Sequence, residues 1–202
     1  MKSEKPFVFL ANKGFRNLED RGGTQYLIKA FIEEFTKEEN VELLVKINPA
    51  YGIPNVEQIL KDLGYNEDGP KIIFDVNNYN YSDLVKLYNN SDVFVCPTRA
   101  ESFGIPMIEA MACGKPVITT DFGGQTDFVD NTNGWIISGE LEEVKHELQY
   151  EGIKWLTPNI EELKLKLRTA TQSNLKSRKE EAIKTANNFT WQKTAKKIVE
   201  LI

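Results

Sequence analysis

Histidine occurs once in the 202 residues and cysteine twice, at Cys96 and Cys113. That leaves too few soft ligands for a structural zinc site. A Ser-His-Asp or Cys-His catalytic unit would have to use His146, which lies in the polar run EVKHEL and reads as solvated surface. The two cysteines sit in apolar surroundings that read as a buried strand and a buried helix, as expected of reduced thiols in a cytoplasmic protein. No apolar run approaches the length that spans a bilayer, and no signal-peptide core is present. Basic residues are also in deficit: 25 Lys and Arg against 30 Asp and Glu give a net charge of -5. A broad nucleic-acid-binding surface is thereby excluded, and any bound phosphate has to be held locally, by a helix end and a few cations. Internal repeats and low-complexity linkers are missing too.

What is present is an ordinary core-forming composition, 41% hydrophobic and 27% charged, arranged in alternation. Apolar runs at 6–11, 41–47, 71–76, 92–96 and 116–120 read as strands. Between them, 24–35 carries Leu27, Ala30, Phe31 and Phe35 at helical spacing, and shorter helices are expected after Pro54, over 83–88 and after Gly104. Short, nearly continuous apolar strands alternating with helices predict a parallel sheet covered on both faces. Ligands on such sheets bind beyond the carboxyl ends of the strands. The loops NKGFRNLEDRGG, INPAYG, DVNNYN, PTRAESFG and TDFGGQTD all follow predicted strands and should converge on one rim. The last third reads as exposed, lysine-rich helices over 160–167 and 175–186. A final helix over 190–202 places Trp191, Ala195, Ile198, Val199 and Ile202 on one face. The whole of 1–202 reads as a single domain.

The segment ESFGIPMIE, residues 101–109, has a carboxylate at each end and nothing ionisable between. Pro97 ends a strand, Gly104 allows a tight approach, and Pro106 fits the first turn of a helix. The amides of Ser102, Phe103, Gly104 and Ile105 then lie near a helix N-terminus, which suits phosphate or pyrophosphate. Glu101 and Glu109 flank that place. They cannot be phosphate ligands, but they can accept hydrogen bonds from hydroxyls on either side of it. The pattern reads as a clamp for a nucleotide sugar. The bland alternatives are an exposed loop acid for Glu101 and a salt bridge to a neighbouring helix for Glu109.

The run VFVCPTRAESFGIPMIEAMACGKPVITTDFGGQTDFVDNTNGWII resembles the donor-binding signature of retaining GT-B glycosyltransferases of the family-four, or group 1, type. It has Glu, seven residues and Glu, preceded by proline and followed by Gly-x-Pro-Val and Gly-Gly. GGTQYLIKAF, SDLVKLYNNSDVFVCPT and NFTWQKTAKKI resemble the family's flanking elements. The resemblance implies an α/β fold, a Rossmann-like parallel sheet with helices on both faces, equivalent to the C-terminal half of a GT-B enzyme. The acceptor-binding half would then be supplied by another domain or a partner chain.

The resemblance further implies that Glu109 holds ribose hydroxyls and that Glu101 orients the donor sugar, with the amides of Phe103 and Gly104 assisting. Cations should stabilise the departing diphosphate. The family's Lys-Gly is replaced by Arg21-Gly22, so Arg21 is expected to substitute, with Lys13, Arg16 and Lys46 as the other candidates. For each of these a solvated loop cation is the alternative. The base is expected against DVNNYN, touching backbone at Val76 and Asn77 and the ring of Tyr79 or Tyr81, although these rings could equally pack on the loop. No Asp-x-Asp triplet occurs, which fits a metal-independent enzyme; no metal and no cofactor beyond the nucleotide-sugar substrate are implied. Membrane association is expected only through the missing half. A binding module that performs no transfer is the competing reading. A sugar-nucleotide epimerase would lean on histidines, and a flavodoxin-like receiver would leave the glutamate and glycine pattern unexplained.

Overall fold

The computed structural model describes residues 5–13, 15, 20–144 and 152–201. Six strands form one parallel sheet: β1 (Phe7–Ala11), β2 (Val41–Lys46), β3 (Lys71–Asp75), β4 (Val93–Cys96), β5 (Val117–Thr120) and β6 (Gly134–Ile137). Their order is β3-β2-β1-β4-β5-β6. The strands bury both faces. Within β1, Phe9 joins one core and Leu10 the other, and in β4 Val93 and Val95 alternate with Phe94 and Cys96 in the same way. Helices α1 (Thr24–Glu34), α2 (Val56–Asp62) and α5 (Ile160–Gln172) contribute to the first core. Helices α3 (Tyr81–Asn90), α4 (Ile105–Ala112) and α6 (Lys176–Ala186) contribute to the second.

The last third departs from its sequence reading. Helix α5 is not simply exposed: Leu163, Leu167 and Ala170 are buried in the first core. It is locked to α1 by Arg168, which donates to the Glu34 carboxylate and backbone carbonyl, each at 2.7 Å, and to Glu39, while its guanidinium lies 4.4 Å from the centre of the Phe35 ring. Helix α6 buries Ala182 and Ala186. A two-stranded antiparallel hairpin, β7 (Gly139–Glu143) with β8 (Lys154–Pro158), was not expected, nor was β6. Cys96 is buried, but Cys113 is only half-buried, at the end of α4. His146 lies outside the described residues. Helix α7 (Trp191–Glu200) buries none of its residues, and Trp191 is 82% exposed.

The Arg168 cluster gives a pH-dependent contribution to stability. Arg168 holds the Glu39 carboxyl below its ordinary value by hydrogen bonding, outweighing its partial burial. A carboxylate whose pKa is lowered by folding stabilises fully above its unfolded value, and the effect is lost as pH falls through the folded one. With the pair about a third exposed, Arg168→Met should cost about 1 kcal/mol at neutral pH. The cost should shrink as pH falls through the lowered Glu39 value, leaving only the part that comes from the Glu34 carbonyl and the Phe35 ring, which do not titrate. Urea denaturation at neutral and at acidic pH checks this.

Candidate functional site

Strand order reverses between β1 and β4, so the loops that follow these two strands diverge and leave a crevice at the carboxyl edge of the sheet. The β1 loop is pinned to the β4 loop. Arg99 N–H donates to the Arg21 carbonyl at 2.9 Å, and the Thr98 hydroxyl donates to the same oxygen at 3.2 Å. Gly23, the residue before α1, has φ 76° and packs against the Pro97 carbonyl.

Helix α4 starts at the crevice. Gly104 precedes it at φ 96°, its first turn contains Pro106, and that turn has neither an acidic residue nor a side-chain cap. The Ser102 amide donates to the Glu101 carboxylate at 3.1 Å. The amides of Phe103, Gly104 and Ile105 have no hydrogen-bond partner among the described residues. They form an open, electropositive cradle of the kind that takes an anion.

The loop that carries this cradle rests on a second loop. Gly124 N–H donates to the Glu101 carbonyl at 3.0 Å, and a Cβ on Gly124 would lie 1.9 Å from the Ser102 carbonyl oxygen. The Gly123-Gly124 pair therefore lets the backbone at 101–102 sit directly on the loop after β5.

The two glutamates occupy different surroundings. Glu101 forms an ion pair with Lys13 at the end of β1. Glu109, just over one turn into α4, accepts hydrogen bonds from the Tyr88 hydroxyl at 3.0 Å and the Tyr81 hydroxyl at 3.2 Å, both from α3. No ion pair to Glu109 occurs among the described residues, so the salt-bridge alternative does not describe it. Tyr88 is buried and accepts from the Asn12 amide at 3.2 Å. Burial and then the Glu109 charge push its hydroxyl pKa well above the usual range, keeping it a neutral donor. Glu109 charge likewise raises that of exposed Tyr81.

Tyr88→Phe removes one donor from Glu109 and leaves the Asn12 amide without its acceptor. It should lower unfolding stability by about 1–2 kcal/mol with the secondary structure intact. Chemical denaturation followed by circular dichroism measures both.

The remaining candidates are placed as follows. Arg21 is exposed on the β1 loop, while Arg16 lies outside the described residues. Lys46 is not on the open rim but buried at the end of β2, where it donates to the Ile47 carbonyl at 2.7 Å under the Tyr79 ring. Burial lowers its pKa, with Asp75 partly opposing. Val76 and Asn77 are exposed beyond β3. Asp75 accepts from Asn77 and Tyr79; burial alone would raise its pKa, but these bonds hold it below the usual value.

Asn12, Tyr88 and Arg99 were not singled out from sequence. The seven-residue spacing of Tyr81 and Tyr88, two turns on one helix face, was the available signal for the tyrosine pair. Arg99 is buried between the Tyr26 and Trp155 rings, and its carbonyl accepts from Leu156 N–H at 2.8 Å, so it fastens the β7–β8 hairpin to the β4 loop.

Fold and crevice together define a doubly wound α/β domain with an anion-suited helix terminus bracketed by two carboxylates at its switch point. The chain belongs to the glycosyl transferases group 1 family, whose model matches residues 3–173. It is 32% identical over 136 residues to an uncharacterized glycosyltransferase of Methanocaldococcus jannaschii, covering 66% of this chain and 32% of that protein. It is 32% identical over 158 residues to the capsular polysaccharide biosynthesis glycosyltransferase CapM of Staphylococcus aureus, covering 73% of this chain and 39% of CapM. The fold matches GT-B glycosyltransferases of known structure. A glycosyltransferase from Rickettsia africae superposes with a TM-score of 0.72 at 23% identity, over 98% of this chain and 47% of that one. The chain thus spans about a third of the length of the curated relatives it matches.

Proposed function

We propose that the crevice binds a nucleoside diphosphate sugar and that the chain is the donor-binding part of a retaining, metal-independent glycosyltransferase transferring a hexosyl group. The observation that carries this reading is the cradle of three unpartnered amides at α4, flanked by Glu101 on one side and Glu109 on the other. The diphosphate takes the amides of Phe103, Gly104 and Ile105. Glu109, held by two hydroxyl donors, has lone pairs to offer the ribose hydroxyls. Glu101 faces the sugar. In the unliganded protein Lys13 neutralises Glu101. When the donor enters, Lys13 and Arg21 supply positive charge to the leaving diphosphate, the role a metal ion plays in other transferases. The base lies against Val76 and Asn77. The acceptor is bound by a further domain or a partner chain, and the two free thiols suit a reducing, cytoplasmic setting.

A second reading, a nucleotide-sugar-binding module without transfer, draws on the pairing of Lys13 with Glu101, which occupies a cation the reaction would need. Calorimetric titration with UDP, GDP and ADP tests the shared part: one should bind saturably and the others more weakly. Failure of all three contradicts both readings. Transfer of the sugar to an acceptor when the remaining part of the enzyme is supplied separates the two.

A further inference from the structure

The loop carrying the cradle is held from two sides by aromatic rings. Phe103, whose amide is one of the three free donors, packs at 5.3 Å on Phe128 and at 6.0 Å on Phe189, and Phe128 and Phe189 are 5.5 Å apart. Phe128 is buried and follows the Gly123-Gly124 turn on which the Glu101 backbone rests. Phe189 is different. It is 38% exposed, as Phe103 is at 37%, and it sits in the short link between α6 and α7.

That link is tied to α7 more firmly than α7 is tied to the rest of the protein. Thr190 accepts from Lys193 N–H at 3.3 Å as the cap of α7. The Lys193 ammonium reaches back to the Asn187 carbonyl at 2.8 Å and to the Asn188 side chain at 3.0 Å. Helix α7 itself, first turn included, contributes no buried residue. The first turn of α7 is therefore linked through residues 187–190 to Phe189 and the Phe103 ring.

We propose that Phe189 is a positioning residue for the cradle: its ring holds the Phe103 loop in the conformation that points the free amides at the ligand, and so couples the setting of α7 to the donor site. The coupling rests on the reading of the cradle as the diphosphate site. It runs in both directions, since any change that α7 makes at the cradle is matched by what a cradle ligand does to α7. Phe189 would not touch the ligand.

Hydrogen exchange on the full chain tests the proposal in two arms, comparing the wild type with Phe189→Ala and Phe189→Leu. Without ligand, the amides of Gly124, Met107 and Ile108, which donate to the Glu101 and Gly104 carbonyls and so tie the loop down, should exchange about tenfold faster in Phe189→Ala and near the wild-type rate in Phe189→Leu, while β2 amides such as Leu43 and Val45 stay unchanged. Unchanged exchange at Gly124, Met107 and Ile108, or equal acceleration throughout the sheet, would overturn the positioning role. With whichever of UDP, GDP or ADP binds, Phe189→Ala should weaken affinity about fivefold to tenfold. The ligand should slow exchange in the first turn of α7 in the wild type but not in that variant. A ligand that binds both proteins equally overturns the coupling. If no nucleotide binds the wild type, the reading of the site fails, and Phe189 is judged by the ligand-free arm.

Discussion

Glu109→Gln should weaken nucleoside diphosphate binding about 30-fold to 100-fold, equivalent to about 2–3 kcal/mol, while leaving the melting temperature nearly unchanged. The carboxylate currently accepts from Tyr88 and Tyr81 and has acceptor capacity left over for hydroxyls in the crevice. A carboxamide keeps one acceptor oxygen, enough to retain the buried Tyr88 bond, but it replaces the other with a donor and removes the charge. The loss therefore falls on the ligand side. Calorimetric titration with the best-binding nucleotide measures it, alongside thermal unfolding of the same sample. A large drop in stability with little change in affinity would assign Glu109 to the fold.

The second large effect is structural. Gly23→Ala should destabilise the protein by about 3 kcal/mol or more, lowering its melting temperature by about 10 °C. Two causes add. The backbone at Gly23 has φ 76°, which disfavours an L side chain by about 1–2 kcal/mol. A Cβ there would also lie 1.9 Å from the Pro97 carbonyl oxygen, so the β1 and β4 loops would have to separate. Gly64→Ala is the matched control, because Gly64 has φ 82° but nothing within 4 Å of the added carbon. It should show the conformational cost alone, about 1–2 kcal/mol. Urea unfolding of the two variants separates the terms. Because Gly23 lies where the two loops close the crevice, its variant should also lose nucleotide affinity, whereas Gly64→Ala should not.

How much of this was legible in the sequence depended on what each stretch buries. Five strands of the sheet announce themselves as apolar runs because parallel strands are covered on both faces. The sixth, Gly134–Ile137, went unread although it is as long as β4 and β5, because it begins with a glycine that adds no side chain to the apolar run. The hairpin was invisible for another reason: Gly139–Glu143 presents mainly acidic, exposed side chains, and its pairing with Lys154–Pro158 joins segments ten residues apart in sequence. Helix α3 begins at Tyr81, two residues before the expected start, because Asn80 caps it by accepting from Asp83 N–H at 3.0 Å. Lysine content made α5 look exposed, yet Leu163, Leu167 and Ala170 form a stripe narrow enough to pack on α1.

The site divided along the same line. Glu101, Glu109 and the α4 amides could be placed from sequence because they share one local segment. The partners that fix them could not. Asn12 and Lys13 arrive from the loop after β1, Tyr81 and Tyr88 from α3, and the supporting glycines from the loop after β5. Such contacts follow from strand order, and strand order is not written in any single stretch. The burial of Lys46 could not be read from sequence either. A charged residue at a strand end reads as a rim cation, but the ring of Tyr79 covers it.

The central claim is that a nucleoside diphosphate sits at the α4 terminus between Glu101 and Glu109. At 23.1 kDa the chain is well suited to amide-resolved NMR, and titration with UDP, GDP or ADP tests that claim most directly. The account predicts that the amide resonances of Phe103, Gly104 and Ile105 move most, with smaller changes at Val76 and Asn77 and at the Tyr88 neighbourhood of Glu109. Shifts confined to the opposite edge of the sheet, or saturable binding that leaves the three amides unmoved, would contradict it.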